Sequence, residues 1–213
     1  MDLTQKDISF TNRKPYTTAN EFQPKTKYVW VVFHGMGYLS KYFLRYFKDL
    51  DPEQHYFIAP QAPSKYYMNG EFKHVGASWL TKEDTELEID NIMAYLDAIL
   101  EQEGIPDHVK LVVFGYSQGV SIAMRWVARK KIACDHLILY AGGMPNELKV
   151  QDLDHLREAT PIRFFVGKHD EYITPERWEA EKKKIENLFQ GRADIEIFDG
   201  GHEVKNEIIK KLP

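Results

Sequence analysis

Short runs that are apolar on both faces, separated by longer amphipathic stretches, are the feature that most constrains this chain. Val29-Trp30-Val31-Val32-Phe33 is one such run and Leu111-Val112-Val113-Phe114 is another. Further strands are predicted over 55–59, 137–140, 162–166 and 195–198, most of them closing on Gly or Pro. Between them, apolar residues recur with helical period. Phe43, Leu44, Phe47 and Leu50 mark one helix, and Ile89, Ile92, Met93, Leu96, Ile99 and Leu100 mark a longer one over 83–103. Thr81 and Asp84 are predicted to cap its start, and Gly104 stops it. Helices are also expected from Gly119 to about Lys131, from Pro175 to near Gly191, and over 203–210.

Strands without a polar face belong in a parallel sheet covered on both sides by helices. The expected fold class is therefore α/β, with a mostly parallel central sheet. Residues 8–10 and 16–18 are read as an antiparallel hairpin at its edge. The 213 residues, 43% of them hydrophobic, suit one core, so 1–213 is read as a single domain. The stretch 60–78, with Tyr66, Tyr67, Met68 and Phe72, is long and irregular for a compact domain. Such loops more often form walls or lids of a site than idle connections.

Directly after the run at 111–114 comes Gly115-Tyr116-Ser117-Gln118-Gly119, a G-x-S-x-G pattern. Chance alone produces that pattern in roughly one chain of this size in fifteen. The strand before it and the amphipathic helix after it supply the strand–turn–helix setting that a nucleophilic serine on an α/β-hydrolase scaffold requires. There the turn strains the serine, and glycines let strand and helix approach without a Cβ clash. An ordinary Gly-rich turn is the alternative reading.

A serine hydroxyl needs an adjacent base, and the base needs a carboxylate to hold it. On this scaffold the order along the chain is Ser, then Asp or Glu, then His. The strand at 162–166 is followed by Gly167-Lys168-His169-Asp170-Glu171, and that at 195–198 by Asp199-Gly200-Gly201-His202. Asp170 and His202 are thus the candidate acid and base. Glu171 and Asp199 are rival acids, although Asp199 is very near His202 in sequence. His169 precedes the acid and is expected at the surface. His55, His74, His108, His136 and His155 do not follow a strand after the acid. His202-Glu203 opens no H-E-x-x-H motif, since Asn206 stands where the second histidine would be, and no metal or other cofactor is expected. Two backbone N–H groups should stabilise the oxyanion of acyl transfer. Gln118, after the nucleophile, supplies one, and Met36, in the His34-Gly35-Met36-Gly37 loop, supplies the other.

Taken together, these pieces resemble the phospholipase/carboxylesterase family of the α/β-hydrolase superfamily, which includes bacterial carboxylesterases and acyl-protein thioesterases. The resemblance rests on His34-Gly35-Met36-Gly37, Ala59-Pro60-Gln61-Ala62-Pro63, Ser78-Trp79, Gly115-Tyr116-Ser117-Gln118-Gly119, Gly167-Lys168-His169-Asp170 and Gly201-His202, in family order from about Tyr28 onward. It implies a Ser117, Asp170, His202 triad that hydrolyses carboxylic esters or thioesters. Three positions depart from the family pattern: Tyr38 in place of an Asp, Val120 in place of a second glycine, and Trp79-Leu80-Thr81 in place of tryptophan–phenylalanine–aspartate. They are placed around the acyl pocket and its entrance. Tyr66, Tyr67, Met68 and Trp79 are read either as acyl-chain contacts or as core. The alternatives are an acyl-protein thioesterase or lysophospholipase, a peptidase or dienelactone-type hydrolase on the same scaffold, and a non-catalytic binding protein, which would need a broken triad.

Charge and cysteine usage narrow the partners. With 28 Lys plus Arg against 32 Asp plus Glu, the net charge of −4 argues against a nucleic-acid partner; the partner that the resemblance implies is a small-molecule ester or thioester. The Lys182-Lys183-Lys184 run, flanked by Glu181 and Glu186, reads as a solvated helix face. The lone cysteine, Cys134, can form no intrachain disulfide and reads as a buried small hydrophobe. Residues 1–10 lack an apolar signal core, and no stretch approaches the roughly 20 apolar residues of a membrane span, so a cytoplasmic location is expected.

Overall fold

The computed structural model describes residues 1–213. Its strands are β1 (Tyr16–Ala19), β2 (Tyr28–Phe33), β3 (His55–Pro60), β4 (Ser64–Tyr67), β5 (Val75–Ser78), β6 (Lys110–Tyr116), β7 (His136–Tyr140), β8 (Ile162–Gly167) and β9 (Ala193–Phe198). Its helices are α1 (Ser40–Phe43), α2 (Thr85–Glu103), α3 (Gln118–Arg129), α4 (Pro175–Phe189) and α5 (Asn206–Ile209). Seven strands make one sheet in the order β1-β3-β2-β6-β7-β8-β9. Every pair in it is parallel except β1 with β3. This is an α/β-hydrolase-like sheet with an antiparallel edge.

The central strands are apolar on both faces because both faces are covered. Val29, Val31, Phe33 and Val113 point into a 33-residue cluster with the inner sides of α2, α3 and α4. Trp30, Val32, Val112 and Phe114 point the other way, into a 19-residue cluster closed by α1, the turn after it and α5. The larger layer uses the three long helices, and its area dominates the burial that drives folding. Cys134 is buried in it, and burial pushes its thiol up to about 12. No helix is long and apolar enough to cross a membrane.

Several local expectations are corrected. Residues 8–10 form no strand, and Ile8 and Phe10 are exposed. β1 pairs instead with β3, Tyr16 opposite Pro60 through Ala19 opposite Phe57, because β3 offers a free sheet edge. The helix expected through Leu50 is α-helical only to Phe43 and continues as a 3₁₀ turn over Leu44–Phe47. Its aromatic residues are weak helix formers, and packing of Phe43 and Phe47 sets its shape. Asp84 occupies the N-cap of α2 in a left-handed conformation, and its side chain caps nothing. Thr81 Oγ1 accepts from the Glu83 N–H instead, so α2 begins at Thr85. The last helix is shortened to α5, since Lys205 is extended and donates its N–H to the Tyr140 hydroxyl.

The irregular stretch 60–78 is in fact a hairpin, β4 paired antiparallel with β5. It lies on the loop after β2. Gly37 donates its N–H to Ala77 O at 2.8 Å. A Cβ at Gly76 would lie 2.7 Å from Gly37 O, so only glycine permits this approach.

A second close approach sits under α3. A Cβ at Gly119 would overlap the Phe33 carbonyl oxygen and lie 2.6 Å from its carbon, both immobile backbone atoms. Gly119→Ala should therefore lose on the order of 3 kcal/mol of stability. For a chain of this length that lowers the thermal midpoint by about 6–12 °C. A midpoint within about 2 °C of wild type in a thermal melt would show that the contact is slack.

Candidate active site

Ser117 stands between the end of β6 and the first residue of α3. Its backbone has φ 53° and ψ −118°, a conformation that a non-glycine residue holds only under strain. The strain is held from both sides: Ser117 donates its N–H to Tyr140 O at 2.8 Å and accepts from the Val120 N–H at 3.0 Å. The result is a hydroxyl thrust off the carboxyl end of the sheet.

His202 follows β9, and its Nε2 lies 2.9 Å from Ser117 Oγ. Its Nδ1 lies 2.8 Å from Asp170 Oδ2. A carboxylate only accepts, so Nδ1 carries the proton and Nε2 is left to accept from the serine hydroxyl. The Asp170 side chain is fully buried, and its Oδ1 accepts from the Tyr172 N–H at 2.9 Å. A buried carboxylate needs such partners. Sequence reasoning placed these three residues on loops at one sheet edge, and the structure joins them in one hydrogen-bonded line.

The rival residues fall elsewhere. Glu171 does not reach the His202 ring; its Oε2 accepts from the His202 backbone N–H at 3.3 Å. His169 and Asp199 face each other in solvent at 3.4 Å. His55 lies under the sheet edge and accepts from Trp30 Nε1 at 3.0 Å.

Met36 and Gln118 flank the serine. The loop carrying Met36 passes so close that a Cβ at Gly35 would lie 3.1 Å from Ser117 Cβ. The Met36 N–H has no acceptor within the protein. The Gln118 N–H opens α3, where no intrahelical acceptor exists and the helix dipole favours negative charge.

Of the four candidate substrate contacts, Tyr66, Tyr67 and Met68 are on the hairpin and reach solvent. A Cβ at Gly37 would meet Met68 Cε at 3.5 Å and the Tyr66 hydroxyl at 3.8 Å, which places both beside Met36. Trp79 is different. It is 1% exposed and packs on Phe33, so it belongs to the core rather than to the mouth.

Sequence reasoning missed the residues that fix the imidazole. Tyr116 donates its hydroxyl to His202 O at 2.9 Å and lays its ring 5.3 Å from the imidazole. Tyr172 meets the same ring edge-on at 4.8 Å. Tyr116 lies inside the G-x-S-x-G pattern as an unspecified position, and Tyr172 carries no sequence signal at all.

His34 was also read only as part of a glycine loop. It is buried, and its Nδ1 donates to Gly35 O at 2.8 Å while Nε2 accepts from the Ala62 N–H at 3.1 Å. It thus ties the Met36 loop to the segment after β3 in its neutral form.

The family model of phospholipases and carboxylesterases matches residues 17–212. The chain belongs to the phospholipase/carboxylesterase family, and it is a hydrolase of that family. No curated protein matches it in sequence. Among solved structures it is similar in fold to the carboxylesterase from Mesorhizobium loti, with 15% identity over 93% of each chain and a TM-score of 0.67. It is also similar to acyl-protein thioesterase 2 of Zea mays, with 15% identity, 93% of this chain and 97% of that one covered, and a TM-score of 0.64. A phospholipase/carboxylesterase from Dyadobacter fermentans gives 20% identity over 95% of each chain and a TM-score of 0.64.

Burial lowers the His34 pKa to about 4 from its ordinary 6.5. On acidification the unfolded chain takes up this proton first, so the stabilisation is complete above about pH 6.5 and is lost as pH falls toward 4. Between pH 7 and 4.5, His34→Gln should lose roughly 2–3 kcal/mol less than wild type in denaturant unfolding. A His34 ring signal that titrates near 6.5 by NMR would sink this assignment.

Proposed function

We propose that the chain is a serine hydrolase that cleaves carboxylic esters or thioesters of small to medium acyl groups through an acyl-enzyme intermediate. The observation that carries the reading is the His202 ring, which bridges Ser117 Oγ at 2.9 Å and Asp170 Oδ2 at 2.8 Å. That geometry suits nucleophilic catalysis, in which base and nucleophile lie within hydrogen-bond reach and a third group orients the base.

In the proposed reaction His202 Nε2 takes the Ser117 proton as Oγ attacks the carbonyl carbon. The carbonyl oxygen becomes an oxyanion that accepts from the Met36 and Gln118 N–H groups. His202, now cationic and held by Asp170, passes its proton to the leaving alcohol or thiol. A water molecule then gives its proton to His202, attacks the acyl-enzyme and restores Ser117. Two preorganised donors are worth several kcal/mol of barrier, since loss of one typically costs about 2.7–4 kcal/mol.

Tyr66, Tyr67 and Met68 on the β4–β5 hairpin are the proposed acyl-chain contacts. Tyr66 and Met68 lie against Gly37, next to the proposed oxyanion donor, so an acyl group on Ser117 would run toward them.

Hydrolysis of a p-nitrophenyl ester series from acetyl to palmitoyl tests the reading. Ser117→Ala should reduce turnover by roughly 10⁴-fold or more while remaining folded, and it should lose labelling by a fluorophosphonate probe. Asp170→Asn should keep the label site yet lose about 10⁴-fold in kcat, because it favours the wrong histidine tautomer. Unchanged turnover in folded Ser117→Ala would remove the serine mechanism.

A further inference from the structure

The two proposed oxyanion donors stand on different loops, one after β2 and one after β6, and the segment Ala77 to Leu80 hydrogen-bonds to both. The Trp79 backbone N–H donates to Gln118 Oε1 at 2.8 Å. Gln118 Nε2 donates to Leu80 O at 2.8 Å, so the side-chain amide pairs with this segment as a neighbouring strand would. The Trp79 indole Nε1 donates to His34 O at 2.8 Å, two residues before Met36. Ala77 O accepts from the Gly37 N–H at 2.8 Å, one residue after Met36. The Met36 loop is therefore held on both flanks, and the Gln118 residue by its side chain, from one buried stretch.

We infer that Trp79 and the Gln118 side chain are positioning residues that set the spacing of the Met36 and Gln118 N–H groups. The inference rests on the serine-hydrolase reading above, and it gives Trp79 a part in the reaction without contact to substrate. The physical ground is that donors act on the oxyanion only at hydrogen-bond distance from where it forms, and a misplacement near 1 Å can cost about 100-fold. Any buried indole and backbone N–H need acceptors; what sets Trp79 apart is that its two acceptors lie on the two donor-bearing loops, His34 O and Gln118 Oε1. An indole whose N–H found no directional role could be replaced by phenylalanine with only a packing change.

The test compares Trp79→Phe and Gln118→Leu with wild type and with Ile92→Ala, a buried α2 control that lowers stability without removing any of these hydrogen bonds. Each is assayed for kcat and KM on the best ester, and for affinity to a trifluoromethyl ketone, which forms a tetrahedral oxyanion on the serine. Both strut variants should lose about 10- to 100-fold in kcat with KM within about twofold, and ketone affinity should fall by the same factor. Ile92→Ala, with a comparable drop in thermal midpoint, should keep its kcat. If either folded strut variant keeps kcat within about twofold of wild type, or if KM carries the whole loss, the inference is overturned. Should Trp79→Phe fail to fold, Gln118→Leu decides alone. A wild type that neither hydrolyses esters nor takes the fluorophosphonate label would overturn the serine-hydrolase reading itself and this inference with it. An active wild type, an inactive Ser117→Ala and unaffected strut variants would overturn the inference only.

Discussion

The seating of the first turn of α3 against the end of β2 is the constraint on which the rest of the structure depends. Gly119 lies directly on the Phe33 carbonyl, and a Cβ at Gly115 would lie 2.7 Å from Gly119 O. With no room for side chains at either point, the chain must reverse within Ser117 alone. Its left-handed φ costs about 1–3 kcal/mol, which the buried β6 and α3 on either side offset. The same reversal leaves the first N–H of α3 free and puts the hydroxyl beside it. Strain, free donor and outward-turned hydroxyl are therefore one geometric event.

The rest of the site follows from sheet order. β6, β7, β8 and β9 are consecutive neighbours, all parallel, so Ser117, Asp170 and His202 leave the sheet at the same edge. Parallel order alone would still leave His202 free to swing. Its ring is trapped between Tyr116 and Tyr172, its carbonyl accepts from Tyr116, and its N–H donates to Glu171. Tyr172 is itself fixed, because its carbonyl accepts from Arg177 on α4 at 2.7 Å. A histidine held at its ring and at its main chain loses little entropy when the ring takes up a proton, which suits the proposed role of His202 as base and then acid.

The sheet and the three loops at its edge were legible in the sequence because both depend on short-range signals. Doubly apolar runs can only be interior strands, and a serine wedged between glycines after such a run can hardly point anywhere but out. The hairpin at β4–β5 was not legible because Ser64, Lys65, Tyr66 and Tyr67 are all exposed, so no alternation marks them. The roles of Trp79 and His34 were hidden for the opposite reason. Both are buried residues whose hydrogen-bond partners lie far along the chain: the His34 ring with Ala62, the Trp79 indole with His34 and the Trp79 main-chain N–H with Gln118. Periodicity reports burial, but it cannot report which buried donor meets which acceptor.

The three departures from the family pattern show how that limit misleads. They were assigned to the acyl pocket and its entrance, yet two of them are scaffold. Val120 is fully buried, and a Cβ at Gly142 would lie 2.5 Å from its side chain, so its bulk fills the floor beneath the elbow. Tyr38 turns its ring edge onto Tyr116 at 5.9 Å and pairs its hydroxyl with that of Tyr46 at 3.2 Å. It thereby backs the same Tyr116 that holds His202. Leu80, in the third departure, presents its carbonyl rather than its side chain to Gln118, a contact that any residue there could make. A change beside a motif thus alters substrate choice only where its side chain faces the cleft. Here the hairpin residues Tyr66 and Met68, which lie against Gly37, are the proposed residues to meet that condition, while Val120 and Tyr38 act through the rigidity of what lies behind the serine and the histidine.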